Sequence, residues 1–265
     1  MKDIRLASKA SGKIDAIFNP GDFIFIAGPC TVESEEQCFR IAEFLSGKGI
    51  KFFRGGAFKP RTSPYNFQGM GVEGLKILDK VKQSFDLNIV TEIMDTKNVD
   101  AVSEVADIIQ IGARNMQNTP LLREVAHTSK PILLKRNFSA TVDELLLAAE
   151  YILKEGNEKV ILCERGIRTF EKSTRFTLDV GAFSVVKKQT RLPIIADPSH
   201  PAGRAELVLP LARAAVAAGA DGLIVEVHNE PDSALCDAEQ ALTFEMFGTL
   251  QKEAHELLNL RNKRF

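Results

Sequence analysis

Gly222-Leu223-Ile224-Val225-Glu226 is a short β-prone run, apolar along its length and closed by a carboxylate. A strand with one wet face alternates apolar and polar residues, whereas a parallel strand covered on both faces stays apolar throughout. The same design recurs at Phe23–Ala27, Ile50–Arg54, Asn88–Glu92, Asp107–Ile111, Pro131–Lys135, Lys159–Cys163 and Pro193–Ala196. Stretches of helical period separate these runs: Ser34–Gly47, Gly71–Phe85, Lys97–Glu104, Thr119–Thr128, Val142–Lys154, Glu171–Lys188, Arg204–Ala218 and Glu239–Leu258. Eight strands alternating with eight helices in 265 residues predict an α/β fold, a closed (β/α)8 TIM barrel, rather than an open doubly wound sheet.

No Pro/Ser/Gly-rich linker or long charge block divides the chain, so residues 21–265 are expected to form one barrel domain. Residues 1–20 stand outside the repeat as an N-terminal extension, either a hairpin capping the N-terminal mouth of the barrel or a frayed tail. The N-terminus is polar and does not read as a signal peptide, and no apolar run reaches bilayer-spanning length. Four cysteines do not make a disulfide framework in a chain this size, and they suit a reducing cytosol. A net charge of −1 gives no general attraction to nucleic acid or membrane, so any anion must be held by local clusters of Lys and Arg.

In a barrel of this kind the chemistry sits at the C-terminal ends of the strands. Read in turn, those ends deliver Cys30, Arg54, Glu92, Arg114, Lys135, Arg165, His200 and Glu226. One or two polar strand ends would be ordinary, because strand ends meet solvent. A charged or metal-capable residue at every one of them points to a site.

The residues fall into two groups. Arg54, Lys59, Arg61, Arg114, Lys135 and Arg165 are cations, suited to phosphate and carboxylate oxygens. Six cations at one mouth repel each other without counter-anions, so the site is expected to hold more than one anionic group. Cys30, His200, Glu226 and Asp237 combine thiol, imidazole and carboxylate, a donor set for a borderline transition metal rather than magnesium or calcium. His228 competes with His200 for the imidazole position, since extended backbone points it the same way as Glu226. Asp237 also reads as an N-cap for the last helix.

Ala27-Gly28-Pro29-Cys30 and Arg54-Gly55-Gly56-Ala57-Phe58-Lys59-Pro60-Arg61-Thr62-Ser63 resemble the 3-deoxy-D-arabino-heptulosonate 7-phosphate (DAHP) synthases of the type I beta group. Ile111-Gly112-Ala113-Arg114-Asn115, Leu134-Lys135-Arg136, Cys163-Glu164-Arg165-Gly166 and Ala196-Asp197-Pro198-Ser199-His200 continue the likeness in order. It runs from about Phe23 to the last helix. The resemblance implies a transferase of the shikimate pathway that condenses phosphoenolpyruvate with erythrose 4-phosphate and releases phosphate. It implies Cys30, His200, Glu226 and Asp237 as ligands of one divalent metal, manganese first, with iron, cobalt, zinc or cadmium as alternatives. Arg54, Lys59, Arg114, Lys135 and Arg165 match the residues that hold phosphoenolpyruvate. Lys59, Pro60, Arg61, Thr62 and Ser63, with Asp237, match those that receive erythrose 4-phosphate. Lys135, Glu92, Cys30 and His200 are implied in catalysis.

The related 3-deoxy-D-manno-octulosonate 8-phosphate synthases take arabinose 5-phosphate and carry a different segment where this chain has Lys-Pro-Arg-Thr-Ser, which is why erythrose 4-phosphate is expected. A metal-dependent aldolase that does not use phosphoenolpyruvate is the alternative from another class. The resemblance further implies a cytoplasmic homodimer or homotetramer, with no nucleic-acid or membrane partner. No regulatory or mutase domain is read in the chain, so direct feedback inhibition by an aromatic amino acid is not expected. Two details depart from the family pattern: Val227-His228-Asn229-Glu230-Pro231 lacks the Pro after His, and Cys236-Asp237-Ala238 replaces Ser-Asp-Gly.

Overall fold

The structure is a computed structural model and describes residues 4–5, 7–9, 22–61 and 63–262. Its eight parallel strands are β1 (Ile24–Gly28), β2 (Phe52–Arg54), β3 (Asn88–Ile93), β4 (Ile108–Ile111), β5 (Ile132–Lys135), β6 (Val160–Glu164), β7 (Ile194–Ala196) and β8 (Gly222–Glu226). Each strand pairs with the next in chain order, and β8 closes the barrel on β1 through Ile24↔Gly222 to Gly28↔Glu226.

The helices follow the strands in sequence: α1 (Glu35–Gly47), α2 (Val72–Phe85), α3 (Val99–Val105), α4 (Thr119–His127), α5 (Val142–Lys154), α6 (Gly181–Gln189), α7 (Ser199–Ala202) and α8 (Ala205–Ala217), both after β7, and α9 (Phe244–Asn262) after β8. Local chemistry sets where they begin. The Ser34 hydroxyl caps α1 by accepting from Gln37 N at 3.0 Å. At α5, Thr141 and Glu144 cap each other reciprocally. Among the described residues no helix is long and apolar enough to cross a membrane.

Continuous apolarity of the strands produces two buried layers. Outward residues such as Phe53, Ile89, Ile109 and Leu134 pack under the helices with Phe183 and Phe247. Inward residues Ile24, Ile26, Phe52, Val90, Ile108, Leu133, Ile161, Cys163, Ile195 and Ile224 fill the barrel. Because side chains alternate along a strand, the next inward position toward the C-terminal end is two residues on. That position is Arg54, Glu92, Gln110, Lys135 and Glu226 in β2 to β5 and β8, and Arg165 and Asp197 one residue past β6 and β7. The apolar filling therefore becomes the floor of a polar mouth.

Two helix expectations are corrected. Of Glu171–Lys188, only the part from Gly181 is helical. Residues 167–180 form a loop, held by the antiparallel bridge Ile167↔Thr177 and by a 2.7 Å bond between the Thr169 and Thr177 hydroxyls. Glu171 accepts from Lys172 N and Ser173 N at 2.7 Å each, side-chain bonds that compete with a helical ladder. The last helix starts at Phe244 rather than Glu239, because Leu242 N donates to Glu226 O at 2.8 Å and keeps the chain extended beside β8.

Of the N-terminal extension, Ala7–Lys9 forms a 3-10 turn; Ala7 N donates to Glu150 Oε1 of α5 at 2.7 Å, and Ala7 O accepts from the Thr190 hydroxyl after α6. The rest of the extension, for which a hairpin or a frayed tail is expected, lies mostly outside the described residues.

Candidate active site

The barrel mouth holds a cleft of about 160 Å³ lined by Arg54, Lys59, Pro60, Arg61, Glu92, Arg114, Lys135, Arg165, His200 and Asp237, with Gln110, Phe138, Arg175 and Phe176 among the others. The fold thus gathers most of the residues singled out in the sequence; Cys30 and Glu226 do not line the cleft but contact Lys59 and Arg54, which do. Ser63 does not line the cleft; its hydroxyl accepts from Tyr65 N at 3.4 Å within its own turn. Thr62 lies outside the described residues.

Two glycines permit the close packing beneath the mouth. A Cβ on Gly112 would stand 1.9 Å from Glu92 Oε1, so only glycine lets that carboxylate lie across the end of β4. Glu92 is fixed there by Gln110 Nε2, which donates to its other oxygen at 3.1 Å. Gly28 has φ +150° and a Cβ there would meet Arg54 O at 2.1 Å.

The cations are not all free, and this corrects the expectation that six of them await anions. Lys135 Nζ lies 2.7 Å from Asp197 Oδ2, Arg54 Nη1 lies 3.3 Å from Glu226 Oε1, and Lys59 Nζ lies 3.7 Å from Asp237 Oδ2. Among the described residues Arg61, Arg114 and Arg165 have no carboxylate at ion-pair distance. Arg165 stacks over Phe176, its guanidinium carbon 4.3 Å from the ring centroid. Its Nη1 and the Nε of Arg54 are buried without a hydrogen-bond partner, an arrangement that favours an incoming anion. Burial, resisted by Asp197, pulls Arg165 below the ordinary guanidinium range.

Against Lys59 and Arg54 stand the expected metal donors. Atoms of Cys30, Cys236 and Asp237 lie within 4.8 Å of one another, and so do atoms of His200, Glu226 and Asp237; the two sets share Asp237. Cys30 Sγ is 3.0 Å from Asp237 Oδ2 and receives Lys59 Nζ at 2.8 Å. His200 Nε2 is 3.7 Å from Glu226 Oε1. Glu226 Oε2 accepts from Gln240 Nε2 at 2.6 Å, while Oε1 is buried with no hydrogen bond. A buried carboxylate oxygen that makes an ion pair but no hydrogen bond, beside thiol, imidazole and a second carboxylate, fits a divalent transition metal.

The histidine question has a geometric answer. His228 Nε2 lies 2.9 Å from Gln37 Nε2 of α1 and its Nδ1 accepts from Glu230 N at 3.0 Å, so it belongs with α1. Asp237 heads a 3-10 turn in the left-handed region at φ 52°, with no capping bond from its side chain. The capping alternative therefore fails, and the carboxylate is turned to Cys30, Lys59 and Arg175.

Buried charges hold one another. Burial alone would raise Asp197, but His200 and Lys135 bring it well below the usual carboxylate range. Burial likewise opposes the charge of Lys59, and Cys30, Cys236, Glu226 and Asp237 overcome it. His200 is lowered, chiefly by burial, which favours the neutral ring that a metal requires. The Cys30 thiol is pushed well up by burial, then by Cys236 and Glu226.

Three participants escaped the sequence reading. Asp197 lies between Lys135 and His200, with its Oδ2 2.7 Å from His200 Nδ1. Gln110 orients Glu92. Both occupy inward positions that the alternation of β4 and β7 would have identified. Arg175 donates to Asp237 Oδ1 at 3.2 Å and to Gln240 Oε1 at 2.9 Å, from the segment expected to be helix.

Residues 10–262 match the model of the DAHP synthetase I family. The chain is 50% identical over 264 residues to the phospho-2-dehydro-3-deoxyheptonate aldolase of Thermotoga maritima, covering 97% of this chain and 78% of the relative. It is 37% identical over 238 residues to 2-dehydro-3-deoxyphosphooctonate aldolase 1 of Arabidopsis thaliana, covering 81% of each. A crystal structure of the Thermotoga DAHP synthase superposes with TM-score 0.88 at 52% identity, covering 91% of this chain and 70% of that one. A truncated form of the Thermotoga enzyme gives TM-score 0.86 at 48% identity, covering 94% and 91%.

Proposed function

The chain belongs to the DAHP synthetase I family and is an enzyme, and we propose that it condenses phosphoenolpyruvate with erythrose 4-phosphate, releasing inorganic phosphate. The observation that carries this reading is a cleft lined by carboxylate-free arginines and by His200 and Asp237, whose donor sets are completed by the buried Cys30 and Glu226. Greater identity to the heptonate than to the octonate relative favours the four-carbon aldose.

Phosphoenolpyruvate is held through its phosphate and carboxylate by Arg165, Arg114 and Lys135, with Arg54 and Lys59 beneath. The aldose phosphate goes to Arg61, with Lys59 and Pro60 beside it in the cleft. Holding two anions of like charge together is an orientation and charge-neutralisation task, which fixed guanidinium groups perform with little reorganisation. C3 of phosphoenolpyruvate attacks the aldehyde carbon and a proton is delivered to the aldehyde oxygen. Water adds at C2, and the C2–O bond breaks as phosphate leaves. Lys135, fixed by Asp197, is placed to move a proton. Glu92, fixed by Gln110, is placed to orient the water.

Cys30, His200, Glu226 and Asp237 would hold a divalent metal, which supplies Lewis-acid polarisation of the aldehyde oxygen when bound. We further take manganese as the working ion, the cytoplasm as the location and a homodimer or homotetramer as the assembly. Residues 21–265 are the barrel domain of this reading, preceded by the 1–20 extension.

The test is a phosphate-release assay with phosphoenolpyruvate, comparing erythrose 4-phosphate with arabinose 5-phosphate. Faster release with erythrose 4-phosphate is expected. Faster release with arabinose 5-phosphate would reassign the chain to octulosonate chemistry, and aldol product without phosphate release would exclude phosphoenolpyruvate.

A further inference from the structure

The donors at the mouth outnumber those the metal reading uses. Cys236 Sγ lies 3.3 Å from Cys30 Sγ, although the two residues are 206 positions apart, and both are free and buried. The other two cysteines sit elsewhere, Cys38 in α1 and Cys163 inside the barrel. A buried thiol serving only to fill space is surrounded by carbon. Cys236 instead receives Arg61 Nη1 at 2.5 Å, and Lys59 Nζ donates to its neighbour Cys30 at 2.8 Å. Each sulfur therefore has a cationic donor against it, a polar setting unlike that of a space-filling thiol.

We infer that Cys236 is an additional metal-directed donor, and that with Cys30 and Asp237 it lets the centre that works with manganese also take, and hold more tightly, a thiophilic divalent cation such as zinc or cadmium. Two thiolates on one tetrahedral zinc at 2.3 Å lie about 3.8 Å apart. The observed 3.3 Å is a small side-chain adjustment from that separation. The left-handed backbone at Asp237 brings its carboxylate onto the same pair, with Oδ2 at 3.0 Å from Cys30 Sγ. Softer sulfur donors select zinc and cadmium over manganese, which prefers oxygen. The inference rests on the reading of Cys30, His200, Glu226 and Asp237 as a metal centre.

The experiment titrates the metal-free full chain, kept reduced, with cadmium alone and with manganese alone. It compares wild type, Cys236→Ser, Cys236→Ala and Cys30→Ser, each checked for folding by circular dichroism. Sulfur-to-cadmium charge-transfer absorption reports thiolates per ion, and competition with a chromophoric chelator gives Kd. In both Cys236 variants the band is expected to fall by about half. Cadmium binding should weaken on the order of tenfold or more, with manganese changed by less than about threefold. An undiminished band and unchanged cadmium Kd in a folded Cys236 variant overturn the inference and leave the metal centre standing, provided Cys30→Ser still loses the band. A wild-type chain that binds neither ion sinks both.

Discussion

Lys135 Nζ donates to Asp197 Oδ2 across 2.7 Å, with both side chains buried. The same oxygen lies 2.7 Å from His200 Nδ1, so one carboxylate ties the candidate proton carrier to a candidate metal ligand. Orienting a ligating imidazole through a carboxylate on its other nitrogen is a recurrent device at metal centres. Lys135→Met is expected to lower kcat by roughly 10²–10⁴. Metal content by elemental analysis should match wild type. Turnover retained above about a tenth would remove Lys135 from proton transfer.

Asp197 also sets a pH dependence in the metal-free protein. Its folded pKa lies well below the unfolded carboxylate value of about 3.9, so at mildly acidic pH the unfolded chain binds more protons than the folded one. The stabilisation is complete above about pH 5 and is lost as pH falls through the folded pKa. Urea midpoints measured from pH 7 downward should fall on the acid side, and Asp197→Asn should flatten that decline. An equally steep decline in the variant would falsify the assignment.

Gly112 is predicted to act through Glu92. Its backbone φ of −67° suits any residue, so Gly112→Ala carries no backbone strain, yet the new methyl would overlap Glu92 Oε1. Displacing that carboxylate by about 1 Å should lower kcat on the order of 10²-fold. Steady-state kinetics with circular dichroism tests this; unchanged kcat would show that the position of Glu92 does not matter.

Metal removal should act at the mouth alone. Prolonged treatment with a strong chelator is expected to abolish phosphate release, and added manganese to restore it. Full activity in protein shown by elemental analysis to lack metal would dismiss the centre.

A stability prediction lies away from the chemistry. Thr141 Oγ1 accepts from Glu144 N at 3.2 Å, while Glu144 Oε2 accepts from Thr141 N at 2.7 Å. Thr141→Ala should cost about 1 kcal/mol in denaturant unfolding with kcat unchanged. A loss of activity at constant stability would contradict a purely structural role.

The barrel was legible because its cause is local. A strand buried on both faces must be apolar along its length, and eight such runs separated by helical periods leave little choice of architecture. The polar strand ends were legible for the same reason, since Arg54, Lys135 and Glu226 interrupt apolar runs at their C-terminal edge. What remained hidden depends on contacts between distant segments. Whether residues 171–180 are helix turns on Glu171 and Thr169 capturing local donors, and Arg175 reaches Asp237 only from the resulting loop. Six cations looked alike in the sequence, yet burial beside Asp197, Glu226 and Asp237 commits three of them to internal pairs. The sequence by itself determined the strand–helix alternation and the kinds of side chain at its ends. Only the closed barrel decided that Cys236 meets Cys30 and that His200, not His228, faces Glu226. Ring closure fixes those distances by joining β8 to β1, a constraint that no local stretch of sequence carries.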